Sequence, residues 1–99
     1  MSGINGLADM IRRKLTQIKL ASEAEISNRI TMRTPIDTGN ARAHWQSERP
    51  NECTYLFTNN VEYIGKLEYG YSRQAPNGMV RISAAEWQDI VINAARSVA

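Results

Sequence analysis

Apolar residues set the rhythm of the first third of this chain. Ile4, Leu7, Ile11, Leu15, Ile18, Ser22, Ile26 and Ile30 advance in steps of three and four, which is the spacing of one helix face. Pro and Gly do not occur in residues 7–33, so the pattern predicts a single helix over residues 4–33. Ser22 is the weak point of the stripe, and Ala21 beside it is expected to take the inward place. At 1.5 Å per residue this helix is about 40–45 Å long. A compact chain of this size is only about 30 Å across or a little more. Part of the helix is therefore expected to project, or to pack on something outside the chain.

Pro35 ends the helix, because it disfavours the helical region for Thr34. "PIDTGN" then reads as a turn in which Pro35, Asp37 and Gly39 have structural roles. Pro35 fixes a backbone angle, Asp37 bonds nearby amides, and Gly39 accepts positive φ. "ARAHWQSE" alternates, with Ala41, Ala43 and Trp45 on one side and Arg42, His44 and Gln46 on the other, the signature of a half-buried strand. "RPNE" at 49–52 connects it to "CTYLFTN" at 53–59, a strand rich in Thr and aromatics in which either face could point inward. The reading is a β-hairpin over 41–59. Residues 60–79 show neither period and are expected to form a long Tyr/Gly-rich loop, with "GMVRI" as a candidate short third strand. Ser83 with Glu86 three residues later reads as a capping box. It opens a C-terminal helix over 83–98 whose apolar face is Trp87, Ile90, Val91, Ala94, Ala95 and Val98. The expected fold is α+β, one domain over residues 1–99, with both helices packed on a small antiparallel sheet.

Bulk composition narrows the function classes only a little. The chain has 99 residues, 42% apolar and 22% charged, with a net charge of +2. That is ordinary for a globular domain and does not mark a dedicated nucleic-acid binder. The charge is uneven: residues 1–49 carry eight Lys/Arg and five Asp/Glu (+3), and residues 50–99 carry four and five (−1). Cys53 is the single cysteine, so no internal disulfide forms, as expected of a chain made in a reducing cytosol. No segment is apolar for long enough to span a membrane. The N-terminus lacks the pattern of a signal peptide.

Catalytic chemistry finds little to stand on. His44 is the only histidine, and one His with one Cys gives no metal-ligand cluster. "GYSRQAPNG" lacks the Lys-Ser/Thr ending of a phosphate-binding loop. Glu62 and Glu68 read as solvated carboxylates rather than an acid–base pair. The reading is therefore not an enzyme, with no cofactor and no metal. Two features remain. Arg12, Arg13, Lys14 and Lys19 form the one basic run and are candidates to face nucleic-acid backbone. The stretch 63–79 holds three of the four tyrosines and three of the six glycines. Tyr and Arg are enriched at the centres of interfaces, so these tyrosines either cover the chain's own core or meet a partner.

The ordered motifs resemble a known family. Thr34-Pro35, Asp37-Thr38-Gly39, Trp45, Asn59-Asn60, Tyr63, Leu67-Glu68-Tyr69-Gly70 and Gln74-Ala75-Pro76-x-Gly78-Met79 occur in sequence order, followed by a C-terminal helix. The set spans nearly the whole chain. It is similar to the small head–tail connector or neck proteins (head–tail joining, tail-completion or tail-terminator type) of tailed double-stranded-DNA phages. Two positions differ: Asn40-Ala41 stands where a basic and an aliphatic residue are more usual, and Gly65-Lys66 where a more apolar pair is common. The resemblance implies a structural virion protein at the head–tail junction, made in the host cytoplasm. It implies copies of the chain in a ring, a hexamer or alternatively a dodecamer. The ring would join the portal complex of the DNA-filled head to the tail and leave a channel for the genome. Other neck, portal-adaptor and tail-tube proteins are the implied partners, with non-specific contact to passing DNA and no membrane. Tyr63, Leu67, Glu68, Tyr69, Gly70 and Arg73 are the expected subunit contacts. The competing reading is a small DNA-binding or regulatory protein that uses the basic N-terminal helix.

Overall fold

A computed structural model of the protein describes residues 2–35, 40–69 and 78–98. Its spine is α1 (Ser2–Arg33), 32 residues and so about 48 Å long. A short helix α2 (Asn40–Ala43) leads into strands β1 (Trp45–Asn51) and β2 (Thr54–Asn59). The short helices α3 (Ile64–Glu68) and α4 (Val80–Ala84) follow, and then α5 (Trp87–Val98). The strands pair antiparallel, with Trp45 opposite Asn59 and Glu48 opposite Leu56. This is the expected α+β class. The molecule measures 59 × 25 × 16 Å, long because α1 is long.

Only the C-terminal half of α1 is covered. α5 runs back along it: Glu86, just before α5, meets Arg29 and Arg33, while Ser97 near its end shares a cleft with Ala21. The hairpin lies along another side. Its tip reaches α1 through Lys19, which donates to the Glu52 carbonyl at 2.5 Å. Arg49 pairs with Glu23, and the Ser27 hydroxyl bonds the Tyr55 hydroxyl at 2.7 Å. Ile30, Ala41, Leu67 and Met79 form the buried core, with Ile26, Trp45, Phe57, Tyr63 and Ile64 packed around them. A lone two-stranded hairpin is marginal in water, and here the aromatic face of β2 supplies its support. The face left open by the sequence resolves with Tyr55 and Phe57 turned towards α1 and Leu56 outward. Trp45 stacks on Phe57 with ring centroids 4.9 Å apart.

Several expected elements take a different form. Residues 41–43 are helix rather than strand, because Ala favours a helical turn and the His44 N–H closes it on the Ala41 carbonyl at 3.3 Å. The first strand runs instead through Arg49 and Pro50 to Asn51, past the expected connection. In a two-stranded sheet each strand is an edge, where Pro is tolerated, and the register shifts between Glu48 and Asn51. The turn is tightened by Asn51, whose Oδ1 accepts the Cys53 N–H at 2.9 Å. Ser22 is buried and Ala21 exposed, the reverse of the expectation, because the Ser22 hydroxyl is satisfied by the Ile18 carbonyl at 2.7 Å. Residues 64–68 of the expected loop are helix.

The end of α1 is held by a latch built from the turn motif. Thr34 and Pro35 are fully buried. The Thr34 hydroxyl donates to the Ile30 carbonyl at 2.7 Å and accepts the Trp45 indole N–H at 2.8 Å. Arg42 donates to the Met32 and Thr34 carbonyls at 2.9 and 3.0 Å, so a cation satisfies carbonyls at a helix C-terminus. Asp37 and Gly39 lie outside the described residues. Thr34→Val keeps the shape but removes the oxygen that the indole N–H uses. Leaving such a donor unpaired costs about 1–3 kcal/mol, and thermal unfolding is expected to show a melting temperature lower by several degrees. An unchanged melting temperature would show that the latch is not what holds the end of α1.

Candidate interaction surface

Tyr63, Leu67, Glu68 and Tyr69 all sit on or beside α3, and the structure gives them different work. Leu67 is buried in the core, only 5% exposed, and Tyr63 packs against it. Neither is presented as a free contact face, because a short helix laid on the core turns them inward. Tyr69 is 71% exposed, with the Arg81 guanidinium 5.0 Å from its ring centroid. Gly70 and Arg73 lie outside the described residues.

Glu68 faces the chain itself. Its carboxylate accepts the backbone N–H groups of Met79, Val80 and Arg81 at 2.8–2.9 Å. The Arg81 guanidinium donates to it at 3.0 Å and to the Glu68 carbonyl oxygen at 2.5 Å. Burial pushes this carboxyl up, but the bonds from Val80, Met79 and Arg81 outweigh it and hold it below the ordinary carboxylate range. Three consecutive amides aimed at one carboxylate form a helical first turn. That is why residues 80–84 are helix and not the expected third strand, despite the β-branched Val80 and Ile82. Gly78 sits at φ +81°, where an added Cβ would collide with the Glu68 carbonyl oxygen and lie 2.9 Å from its carboxyl carbon. This glycine makes the close approach possible.

The expected capping box is also rerouted. Ser83 is fully buried inside α4, where its hydroxyl donates to the Met79 carbonyl at 2.6 Å and accepts from Arg33 at 3.0 Å. Glu86 turns away from Ser83 to α1. It takes Arg33 on both carboxylate oxygens, at 2.7 and 2.9 Å, and Arg29 at 3.0 Å. Arg33 and then Arg29 lower its pKa from 4.5 to about 2. Arg29 also pairs with Glu25 at 2.8 Å, one turn back.

The four basic residues do not share a face. Successive residues on a helix point about 100° apart, so Arg12, Arg13 and Lys14 fan around α1 rather than forming a stripe. Arg12 and Asp9 are 3.7 Å apart and both well exposed, a pairing worth little in water. Lys19 is committed to the hairpin tip. Among the described residues, no group of His, Cys, Asp and Glu could hold a metal ion, and no helix is long and apolar enough to cross a membrane. Cys53 is exposed at the hairpin turn.

Two apolar surfaces stand out. On the projecting half of α1, Leu7, Met10, Ile11 and Leu15 are 53, 41, 49 and 60% exposed. The second is a groove of about 520 Å³ whose floor on α1 runs from Lys19 and Glu23 to Ile26 and Ile30, with Tyr55, Phe57, Val80 and Trp87 as its walls. Val80 and Trp87 are each 40% exposed. The apolar stripe of α1 was legible in the sequence. The groove was not, because its walls come from residues far apart in the chain. Comparisons with protein-family models, curated proteins and solved structures give no match for this chain.

The folded pKa of Glu86 is depressed, so the stabilisation it gives is present above about pH 4.5 and is lost as the pH falls towards 2. Glu86→Gln is expected to flatten that part of a stability-against-pH curve measured by urea unfolding. An unaltered acid limb would place the effect on other carboxylates. Gly78→Ala is expected to lower stability by more than about 1 kcal/mol, since it combines an unfavourable φ with the collision at Glu68. A neutral result would show that the α3–α4 junction yields easily.

Proposed function

We propose that this chain is a structural subunit of the neck of a tailed double-stranded-DNA phage. Copies of it form a ring that joins the portal complex of the head to the tail and leaves a channel for the genome. The observation that carries this reading is the uncovered half of α1. A helix whose apolar stripe continues for two turns beyond its own fold is built to be covered by another chain. The ordered motifs from Thr34 to Met79 point to the particular assembly.

The geometry supports a role in assembly rather than catalysis. Glu68 and Glu86, the two carboxylates among the described residues whose pKa falls below the ordinary range, are engaged by amides and guanidinium groups that hold helices together. Their ordinary use is as struts. Tyr69, exposed beside Arg81, offers the pairing of residue types common at interface centres. The basic residues of α1 fan out, so a continuous DNA-facing stripe receives no support, and contact with passing DNA is non-specific.

Location tests the reading. Gold-labelled antibody against this chain is expected to mark the head–tail junction of purified particles from the source culture in electron micrographs. Unlabelled intact particles, with the protein confined to the soluble cell fraction, would remove the neck role.

A further inference from the structure

The chain exposes more surface than a compact molecule of its mass. A folded 11.1 kDa monomer has about 5,700 Å² of accessible surface, whereas this one has 7025 Å². The excess is roughly 1,300 Å², or about 650 Å² for each of two faces, close to the ~800 Å² that each partner gives to a standard interface. The radius of gyration, 16.9 Å, likewise exceeds the ~13 Å of a compact 100-residue domain. The projecting half of α1, with Leu7, Met10, Ile11 and Leu15 exposed, and the open groove beside its other half contribute to both.

These two surfaces fit each other in length and chemistry. Leu7 to Leu15 span about 12 Å of helix, and the groove floor from Lys19 to Ile30 spans about 16 Å. An apolar helix face laid in an aromatic-walled groove is a common mode of recognition. The two cannot meet within one chain, because Ile26 and Ile30 belong to the same unbroken helix as Leu7 and Leu15. Charge decides between the partners that a second copy offers. Arg12, Arg13 and Lys14 against Asp9 leave residues 7–15 at +2, so pairing two such segments side by side brings like charges together. The hairpin, residues 45–59, carries Glu48 and Glu52 against Arg49, a net −1, and flanks the groove.

We infer that the projecting half of α1, through Leu7, Ile11 and Leu15, docks into the Tyr55/Phe57/Trp87 groove of a second copy of this chain. Each copy then has one donor helix and one acceptor groove. The contact is heterologous and propagates until it closes on itself. It names the subunit contact of the proposed ring, and rests on that reading only for the ring's place in a virion.

Complementing variants test it. Ile11→Asp with Leu15→Asp spoils the helix, and Trp87→Glu spoils the groove, with Val80→Glu as a second groove variant should the first unfold. Circular dichroism checks that each is folded. Sedimentation velocity is then run up to about 1 mM, which reveals even weak association. The wild type is expected to self-associate, and each variant alone to be monomeric, its self-affinity lower by about a hundredfold. An equimolar mixture is expected to give a dimer that grows no further, since only one intact helix and one intact groove remain. A wild type monomeric at the highest concentration, a helix variant that still self-associates, or a mixture that stays monomeric would each overturn the proposal. Pairing in the mixture without gold label at the head–tail junction would remove the neck role and leave the docking intact.

Discussion

Arg29 and Arg33, one turn apart near the end of α1, share the carboxylate of Glu86, and the arrangement of the helices depends on that grip. It fixes the start of α5 at the C-terminal end of α1, and from there α5 runs back towards Ala21. Ile90 and Ala94 are then buried along the way. Arg33 also donates to the hydroxyl of Ser83, which places α4 beside the same turn. The Glu86 side chain is about one-third exposed (32%). Solvent therefore screens it, and its role is to set direction more than to supply bulk stability.

A second carboxylate organises the other end of the core. Glu68 gathers the amides of Met79, Val80 and Arg81 and so brings Met79, fully buried, beside Leu67. Nearby, the Thr34 latch closes on Trp45, which stacks on Phe57. These three anchors lie within the C-terminal half of α1 and the elements around it. The fold is therefore tight at one end, while the other end is a bare helix.

That asymmetry links structure to assembly. An isolated helix of about 15 residues is marginal in water, yet α1 continues well past the hairpin tip with large apolar residues facing solvent. Such a surface is stabilised when something covers it. The open groove beside Ile26 and Ile30 is the matching concavity. A subunit with one bare helix and one unfilled groove is shaped for repetition, as the proposed ring requires.

The class of the fold, the length of α1 and the burial of Ile90 and Ala94 on α5 were legible in the sequence because they rest on local periodicity, whereas Trp87, expected on the same inward face, stays 40% exposed. The end of α1 just before Pro35 was legible because proline restricts its neighbours wherever it stands. What only the tertiary structure decided are the places where a distant group changed local preference. Val80 and Ile82 favour a strand, but the Glu68 carboxylate, more than ten residues away, winds them into a helix. Ser83 and Glu86 carry the spacing of a cap, but Arg33 and Arg29, some fifty residues earlier, draw both away. Leu67 and Tyr63 look like contact residues in a Tyr/Gly-rich stretch, yet a short helix turns them into the core. The apolar stripe of α1 could be read from the sequence, but not where its burial stops. That depends on how far the hairpin and α5 reach, a distance that only the packed structure sets.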